Sequence, residues 1–447
     1  MTIADQQLRV DSTVDSLEAV TKLASSGLFS EYVVYERPDD CVFAAGVIGR
    51  IQLDTNEIRT MWNGESWRKE WSGSPAAVLD EAFATLPTED TNAYGWIGFE
   101  FCAYSHGAAA RLGHTQPLAH LIVPRIEVRF TDGGFTIVGG DATEQRSVFD
   151  LLATEPPRVP ATGTIDIRTD PTAYRERVAS AVAEIEQDLY QKVIISRRVD
   201  IDFEVDMAAT YRLARPHNNP SRSFLLRLGG VEVAGFSPEI VASVDSAGCV
   251  TSEPLAGTRA FGRGSELDLA ARTDLESDPK EIVEHAVSVR TSLAEIQTVT
   301  EPGTAVVSDF MEVVERGSVQ HLASTVRGQL SPCRSHWDAF DALFPSVTAS
   351  GIPKEPSIDA IFRLDGPARG LYSGAVVALT TGHSLDAALV LRAIYQEDGQ
   401  AWLRSGAGII AQSVPDREFE ETCEKLGSIA KYVVRRTNAS ATGQDRP

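Results

Sequence analysis

Cysteine is scarce in this chain, and the few cysteines are not spaced as pairs. The 447 residues contain five, namely Cys41, Cys102, Cys249, Cys333 and Cys423. A disulfide framework or a zinc site needs cysteines in close, repeated spacing, whereas an odd, scattered set is typical of a reducing compartment. The sequence therefore predicts free thiols, no structural zinc and a cytoplasmic location.

Long apolar runs and an excess of positive charge are also missing. No stretch approaches the roughly 18 uninterrupted apolar residues of a membrane-spanning helix, and residues 1–20 lack the basic and apolar segments of a signal peptide. Asp and Glu outnumber Lys and Arg by 63 to 41, which gives a formal net charge of −22. This charge disfavours nucleic acid and membrane surfaces as partners. A site for an anionic substrate would have to supply a metal ion or basic side chains of its own.

What is present predicts an α+β fold with sandwich-like character. Between about residues 30 and 150, short alternating runs such as IEVRFTDGGFTIVGG are broken by Gly and Asp turns, which is typical of antiparallel strands. Further along, SFLLRL and VEVAGF flank Gly229-Gly230, a pair that suits a hairpin turn. Isolated helical patterns between such runs favour helices packed on large antiparallel sheets.

The chain is predicted to be one unit spanning residues 1–447. Prolines and small residues at 154–171 interrupt every periodicity, and we interpret them as a crossing between two halves of one core. The expected halves are an N-terminal sheet half at 25–153 and a second half at 170–435. Residues 1 to about 25 and the tail 437–447 are expected to be poorly ordered.

One predicted helix, within ESDPKEIVEHAVSVRTSLAEI, presents paired carboxylates. Asp278 suits the N-cap, Pro279 suits the first turn, and Glu281 lies at the capping-box position. Glu281 and Glu284 are three residues apart and therefore share one face. Taken alone, such a pair is more often solvated than functional, and Glu281 has a second alternative as a cap.

A second predicted helix, within SVPDREFEETCEKLGSIAKYVV, has the same feature. Glu418, Glu421 and Lys425 share one face beside the apolar stripe. An ordinary surface pair between Glu421 and Lys425 is the alternative. If the two acidic faces met, they would form an oxygen-rich site suited to Mg²⁺. Periodicity cannot show that the helices meet.

Several stretches occur together in an order that resembles a known family. That family is the chorismate-utilising enzymes, which include anthranilate, aminodeoxychorismate, isochorismate and salicylate synthases. The resemblance spans about Asp170 to Tyr432, is strongest to the salicylate synthases of the mycobactin type, and implies a single unit of twisted antiparallel sheets flanked by helices. The stretches are KVIISR (192–197), GFSPEIV (235–241), EPLAGTRA (253–260), DLESDPKEIVEH (274–285), RGSVQHLAST (316–325), FPSVTASGIPK (344–354), RGLYSGAV (369–376), LRSGAGII (403–410) and REFEETCEKL (417–426).

Three positions distinguish members of the family. The resemblance implies that Lys192 activates water, where ammonia-using members have glutamine. Ala256 replaces the lysine nucleophile of aminodeoxychorismate synthases. The Thr348-Ala349-Ser350-Gly351 segment groups the chain with members that also eliminate pyruvate. A surface lysine and an ordinary turn are the alternatives that the residues alone leave open.

The resemblance assigns the acid and base. Lys192 would take a proton from water, which attacks ring carbon 2 of chorismate while the carbon-4 hydroxyl leaves, and Glu239 would protonate that hydroxyl. Thr348 and His321 would lie at the reaction centre, although a structural histidine is an equally good interpretation of His321. Lys192 must lose its proton near neutral pH, and Glu239 must keep one.

The resemblance also assigns binding roles. The metal would be Mg²⁺, held by Glu284 and Glu421 with Glu281 and Glu418 in or near its shell, and would bind the ring carboxylate. A guanidinium fork suits a carboxylate, so Arg392 would clamp the enolpyruvyl group together with Tyr372. The other substrate-binding residues would be Gly257, Thr258, Leu391, Gly406, Ala407, Gly408 and Lys425.

The predicted function is therefore conversion of chorismate, through isochorismate, to salicylate and pyruvate by a monomer. An isochorismate synthase that releases its intermediate is the first alternative, and a non-catalytic chorismate-binding subunit is an alternative of another class. The resemblance also implies that a salicylate-adenylating enzyme of siderophore biosynthesis uses the product.

Overall fold

Two large antiparallel sheets flanked by helices make up the fold. The computed structural model describes residues 7–11, 14–87, 91–316, 319–366, 368–380 and 382–437. Within these ranges, ten α-helices accompany one sheet of eleven strands and one of twelve. The α+β prediction is confirmed.

The strands that precede residue 154 are β1 (Gln7–Asp11), β2 (Tyr32–Glu36), β3 (Cys41–Ala45), β4 (Gly49–Asp54), β5 (Glu57–Trp62), β6 (Glu65–Glu70), β7 (Asn92–Ile97), β8 (Pro117–Val123), β9 (Ile126–Thr131) and β10 (Gly134–Gly139). Those that follow are β11 (Lys192–Ile201), β12 (Arg222–Leu228), β13 (Val231–Ser237), β14 (Ile240–Val244), β15 (Cys249–Ser252), β16 (Leu255–Ala260), β17 (Val306–Arg316), β18 (Val319–Gln329), β19 (Gly351–Ile352), β20 (Ala375–Thr380), β21 (Ser384–Leu389), β22 (Ala393–Glu397) and β23 (Gln400–Ile409). The helices are α1 (Ser16–Ser25), α2 (Pro75–Thr85), α3 (Ala142–Leu152), α4 (Tyr174–Glu186), α5 (Met207–Ala214), α6 (Ser265–Ser277), α7 (Pro279–Gln297), α8 (His336–Leu343), α9 (Lys354–Leu364) and α10 (Pro415–Ala430).

Both sheets run through both halves of the chain. The first sheet has the order β1-β10-β9-β3-β2-β12-β13-β22-β23-β11-β19. The second has the order β16-β18-β15-β14-β21-β20-β7-β8-β4-β5-β6, with β17 paired to β18. The halves join where β2 pairs with β12 and where β7 pairs with β20. The segment 154–171 therefore separates stretches of sequence without separating sheets.

Apolar residues fill three layers around the sheets. One cluster, which includes Tyr35, Trp96 and Phe224, lies between the two sheets. A second packs α1, α3, α5 and α10 against the outer face of the first sheet. The third packs α2, α7 and α8 against the second sheet and α4 and α9 against β11 of the first. Of the helices that bear the predicted acidic faces, α7 packs on the second sheet and α10 packs on β23 of the first. Phe419 and Cys423 of α10 share the third cluster with Val289 of α7.

The expectation of poor order at residues 1–25 is wrong where the structure describes them. β1 pairs with β10, and α1 buries Ala19, Val20 and Leu23. The apolar stripe of α1 is stabilised by packing against residues distant in sequence, and the composition of residues 1–25 does not indicate this packing. The predicted disordered tail lies outside the described residues from 438 onward. The hairpin turn at Gly229-Gly230 is confirmed, with positive φ at both glycines. No helix in the described part is both long and apolar enough to cross a membrane.

Gly95, on β7, generates a test of this packing. A Cβ atom there would lie 2.0 Å from the carbonyl oxygen of His120 and 2.6 Å from the Cα atom of Leu121, both of them backbone atoms of β8. Because backbone cannot move aside cheaply, we expect Gly95→Ala to destabilise the fold by about 3 kcal/mol. Thermal unfolding followed by circular dichroism measures this as a lower Tm.

Gly133→Ala is the matched control, because a Cβ atom there meets nothing within 4 Å. An unchanged Tm for Gly95→Ala would contradict the close approach of β7 and β8.

Candidate functional site

Lys192 is the first residue of β11, and its side chain is buried. The residue is 5% exposed, and its Nζ donates to Oε1 of Glu284 at 2.6 Å. The opposing strand leaves room for it, since a Cβ atom at Gly408 would lie 3.0 Å from Cε of Lys192. The surface-lysine alternative is therefore wrong.

The partner of Lys192 is ionised in this arrangement. Burial acts to raise the pKa of Glu284, but the charge of Lys192 and its hydrogen bond outweigh burial, so the pKa of Glu284 is lowered. Lys192 thus joins β11 to α7 through a charge-assisted hydrogen bond. Glu284 is one of the two carboxylates that the sequence singled out for metal binding.

Glu239 lies in the connection between β13 and β14, and it is 2% exposed. Its Oε1 accepts a hydrogen bond from Ser346 Oγ at 2.8 Å and another from the hydroxyl of Thr348. Burial raises the pKa of Glu239 to about 7, against the opposing effect of these hydroxyl donors. A carboxyl group with this pKa is partly protonated at neutral pH, as a general acid must be.

The Thr348 segment is a short 3-10 helix, Val347–Ala349, beside Glu239. Sequence reasoning named Thr348 but missed Ser346, which lies two residues earlier in the same FPSVTASG stretch and contacts the same oxygen. The signal that could have identified Ser346 is its position in this stretch, two residues before Thr348. Thr348 acts on the carboxyl group and is no ordinary turn residue.

His321 is a structural partner of neighbouring groups. Its Nδ1 lies 2.9 Å from the carbonyl oxygen of Gly257 and 3.2 Å from Oγ1 of Thr258, and its Nε2 lies 3.0 Å from a guanidinium nitrogen of Arg392. With the proton on Nδ1, the ring donates to Gly257 and accepts from Arg392. Burial and the Arg392 charge lower the pKa of His321 to about 3, so the ring is neutral at physiological pH.

Gly257 and Thr258 border the same corner of the site on β16. Gly257 has a φ of 67°, and a Cβ atom there would lie 2.7 Å from Leu275 and 3.0 Å from Oε2 of Glu281. Glycine is therefore required both by the backbone conformation and by the approach of α6 and α7. The two residues predicted to line the substrate therefore lie where β16 contacts α7.

Arg392 adopts the left-handed conformation, with φ of 49°. Its guanidinium donates to His321 and, at 3.4 Å, to the carbonyl oxygen of Arg316. Within the described ranges, no carboxylate forms an ion pair with it. Burial and the neighbouring Arg316 lower its pKa to about 10, which leaves it charged. A charged, half-buried guanidinium paired only with neutral acceptors is suited to binding an anion. Leu391, the preceding residue, packs at the edge of the core.

Gly406, Ala407 and Gly408 lie inside β23 and do not form a tight turn. Their partners on β11 are Ser196, Ile195 and Ile194, respectively. The amides of Ile194 and Ser196 donate elsewhere, to the Ser350 carbonyl and to Asp365.

The peptide groups of Gly406 and Gly408 consequently face away from β11. The pairing of β23 with β22 on that side ends at Leu403, so the glycine amides face an open edge. Lys425 Nζ donates to the Gly406 carbonyl at 3.0 Å, and a Cβ atom on Gly406 would lie 2.9 Å from the Tyr372 hydroxyl. The structure thus brings these predicted binding residues together.

Each predicted metal-binding carboxylate is engaged with another side chain. Glu421 pairs with Lys425 at 2.7 Å, and Glu281 pairs with Arg259 at 3.1 Å. Glu418 is buried, which raises its pKa although the Ser413 hydroxyl opposes the rise. The capping role left open for Glu281 is wrong, because Asp278 caps α7 alone while Glu281 turns to Arg259.

The acidic faces of α7 and α10 lie within electrostatic reach of each other. Glu284 acts on the pKa of Glu421, and Lys280 acts on both. Among the residues that the structure describes, no three His, Cys, Asp or Glu side chains stand in metal-binding arrangement. The donor set is nonetheless all carboxylate oxygen, which suits Mg²⁺. A cation bound there would replace Lys192, Lys425 or Arg259 as the partner of a carboxylate.

A buried charged network behind the site was not found from sequence. Asp365 accepts hydrogen bonds from Ser196, Arg369 and Arg404. Arg369 and Arg404 lie within the stretches that resemble the family, but nothing in the sequence singled out either arginine. Both pair with Asp365, which lies outside those stretches.

Solved structures share this architecture. The crystal structure of anthranilate synthase component I from Streptococcus pneumoniae superposes with a TM-score of 0.75 at 24% identity, covering 88% of this chain and 93% of that one. A menaquinone-specific isochorismate synthase from Escherichia coli gives a TM-score of 0.74 at 19% identity, covering 96% and 94%. The fold is therefore that of chorismate-utilising enzymes.

Sequence comparison extends the likeness to the family. The model of the chorismate binding enzyme family matches residues 31–431. The chain belongs to this family of enzymes. Among curated relatives, a salicylate synthase from Mycolicibacterium paratuberculosis is 51% identical over 426 residues, which cover 95% of either chain.

The environment of Glu239 generates a prediction about its titration. Burial places its pKa at about 7, and Ser346→Ala removes a donor that favours the ionised form. We therefore expect the midpoint of Glu239 to move to higher pH in that variant. Carbon-13 NMR of carboxyl-labelled glutamate, assigned by comparison with Glu239→Gln, measures both midpoints.

Ser350→Ala is the control, since the Ser350 hydroxyl lies in the same segment but donates to the Ser346 carbonyl. A midpoint near the ordinary glutamate value of about 4.3 in the unsubstituted protein would show that burial does not govern this carboxyl group.

Proposed function

We propose that this protein converts chorismate, through isochorismate, to salicylate and pyruvate. The observation that carries the proposal is one site that combines three groups: a buried lysine at the start of β11, a buried glutamic acid of raised pKa held by Thr348, and a guanidinium that has only neutral acceptors among the residues that the structure describes. Identity of 51% with a salicylate synthase over nearly the whole chain supports the same reaction.

The first step adds water to the ring. Lys192 takes a proton from water, the oxygen attacks carbon 2, the ring double bonds shift, and the carbon-4 hydroxyl leaves with a proton from Glu239. Lys192 ends the step protonated and Glu239 ionised, so Lys192 must lose a proton to solvent and Glu239 must regain one before the next turnover. The pKa of Glu239, about 7, provides a protonated fraction at neutral pH.

The second step releases pyruvate. Hydrogen moves from carbon 2 to the methylene of the enolpyruvyl group while the bond from its ether oxygen to the ring breaks. The transfer is intramolecular, so the protein has only to hold the side chain over the ring. Arg392 and Tyr372 would hold its carboxylate, while Lys425 and the Gly406 and Gly408 amides would hold the ring carboxylate.

We propose Mg²⁺ as the cofactor, with Glu284 and Glu421 as ligands and Glu281 and Glu418 in or near the shell. When bound, it would neutralise the ring carboxylate of the substrate. The support is the all-oxygen donor set on α7 and α10 and the net charge of −22, which makes a local positive charge necessary for an anionic substrate.

Beyond the reaction, we propose a cytosolic monomer that supplies salicylate to an adenylating enzyme of siderophore biosynthesis. A reducing cytosol would keep the five cysteines as the free thiols that the structure has.

Product analysis tests the proposed function directly. Purified protein is incubated with chorismate and Mg²⁺, with an EDTA control, and the products are separated by chromatography. We expect salicylate and pyruvate in equal amounts, both lost with EDTA. Isochorismate alone would mean that the protein stops after the first step, and no turnover would favour a binding subunit.

Lys192→Ala separates the two steps. Because Lys192 is needed only to activate water, the variant should lose conversion of chorismate by at least about 100-fold yet still release pyruvate from added isochorismate. Lys22→Ala is the control, since Lys22 is also buried but bonds to carbonyl oxygens of Leu152 and Thr154. Water addition at the normal rate by Lys192→Ala would refute the base assignment.

A further inference from the structure

Behind the pocket, one carboxylate gathers basic groups from several segments. Asp365 follows α9 and is fully enclosed, with 3% of its side chain exposed, as for Arg404, and 1% for Arg369. Its Oδ2 accepts from Arg369 at 2.8 Å, from Arg404 at 3.2 Å and from the Ser196 hydroxyl at 2.6 Å. These charged hydrogen bonds in a dry interior fix the geometry of every group that takes part.

The two arginines also reach backbone near the site. Arg369 donates to the carbonyl oxygens of Ala349 and Ile194, both at about 2.7–2.8 Å. Arg404 donates to the Ala368 carbonyl at 2.7 Å and, through Nε, to the Ser196 hydroxyl at 2.9 Å. Arg369 therefore supports the backbone of β11 and of the Thr348 segment, whereas Arg404 supports the turn that leads into Tyr372.

Tyr372 is the site residue that both guanidinium groups touch. The Arg404 guanidinium carbon lies 5.4 Å from the centroid of the Tyr372 ring, and that of Arg369 lies 5.6 Å from it. Each distance is within the range of a cation–π interaction. Arg404 also lies on β23, two residues before Gly406. The Tyr372 hydroxyl lies against Gly406. The Arg404 side chain thus links the position of the Tyr372 ring to β23, whose glycines face the pocket.

We infer that Arg404 is a positioning residue that holds Tyr372 over the pocket and thereby sets the proportion of isochorismate that proceeds to pyruvate elimination. The inference rests on the proposed function. Water addition depends on Lys192 and Glu239, neither of which Arg404 touches. Pyruvate elimination depends on the clamp formed by Tyr372 and Arg392, and a tyrosine free to turn would let the enolpyruvyl group leave its reactive position.

The experiment measures the ratio of released isochorismate to salicylate for the whole protein with chorismate and Mg²⁺. Arg404→Gln removes one of the two cations beside the ring and leaves that of Arg369. We expect it to raise that ratio by about three- to tenfold, the effect of losing one such contact. The kcat for salicylate from added isochorismate should fall by a similar factor, with chorismate consumption much less affected. Arg404→Lys keeps a cation and should give a ratio between those of Arg404→Gln and the unsubstituted protein.

Arg177→Gln is the matched control. Arg177 bonds to the carbonyl oxygens of Ser196, Leu364 and Asp365 in the same network, but its guanidinium lies over Tyr174 and not over Tyr372. Loosening of the network alone would change Arg177→Gln and Arg404→Gln alike. We expect both to lower Tm, and only Arg404→Gln to change the product ratio.

Several results would overturn the inference. An unchanged product ratio in folded Arg404→Gln would do so, as would an equal change in Arg177→Gln. If Arg404→Gln does not fold, a ratio for Arg404→Lys identical to that of the unsubstituted protein would count against it, because lysine cannot reproduce the forked contacts. Absence of salicylate from the unsubstituted protein, measured in parallel, would instead refute the proposed function on which the inference depends.

Discussion

The antiparallel pairing of β11 with β23 is the constraint on which the rest of the site depends. It places Lys192 opposite the glycine-containing end of β23, where Gly408 leaves space for the lysine side chain to reach Glu284. The alternation of an antiparallel ladder then turns the peptide groups of Gly406 and Gly408 away from β11. The positions of the proposed catalytic base and of the candidate anion-binding edge are therefore consequences of one strand pairing.

Charge is the second constraint, because an acidic chain must build a site for an anion. Around the pocket, Lys192, Lys425 and Arg259 each lie against a carboxylate, while Arg392 has only neutral partners within the described structure. His321 stays neutral through burial and accepts from Arg392, so it fixes the guanidinium without cancelling its charge. The local field therefore differs in sign from that of the whole protein near the residue proposed to hold the enolpyruvyl carboxylate.

Two buried glutamates of the site have opposite pKa shifts. Glu239 is enclosed with neutral donors, which are the Ser346 and Thr348 hydroxyls and the Leu255 amide, so desolvation dominates and its pKa rises. Glu284 is close to an ammonium group, so its charge is stabilised although burial opposes it. Two glutamates in one site thus differ in protonation because of their neighbours, which allows one to serve as an acid and the other as an anionic ligand.

Recognised stretches of sequence were enough to predict the fold class, the family and most side chains around the pocket, because these stretches carry chemistry in the residues themselves: a lysine in KVIISR, a glutamate after Pro238, glycines in a strand.

Local sequence failed where the outcome depended on distant partners. Residues 7–11 and 14–25 are well ordered because β1 pairs with β10 and α1 packs in a layer on the first sheet. The contacts of Glu281 and His321 are made with Arg259 and Arg392, which are far from them in sequence. The network around Asp365 exists only because four segments meet there. Periodicity specifies which face of a helix or strand a residue occupies. Only the tertiary structure decides which other element that face packs against, because long-range packing sets the partners of a side chain and burial sets its protonation state.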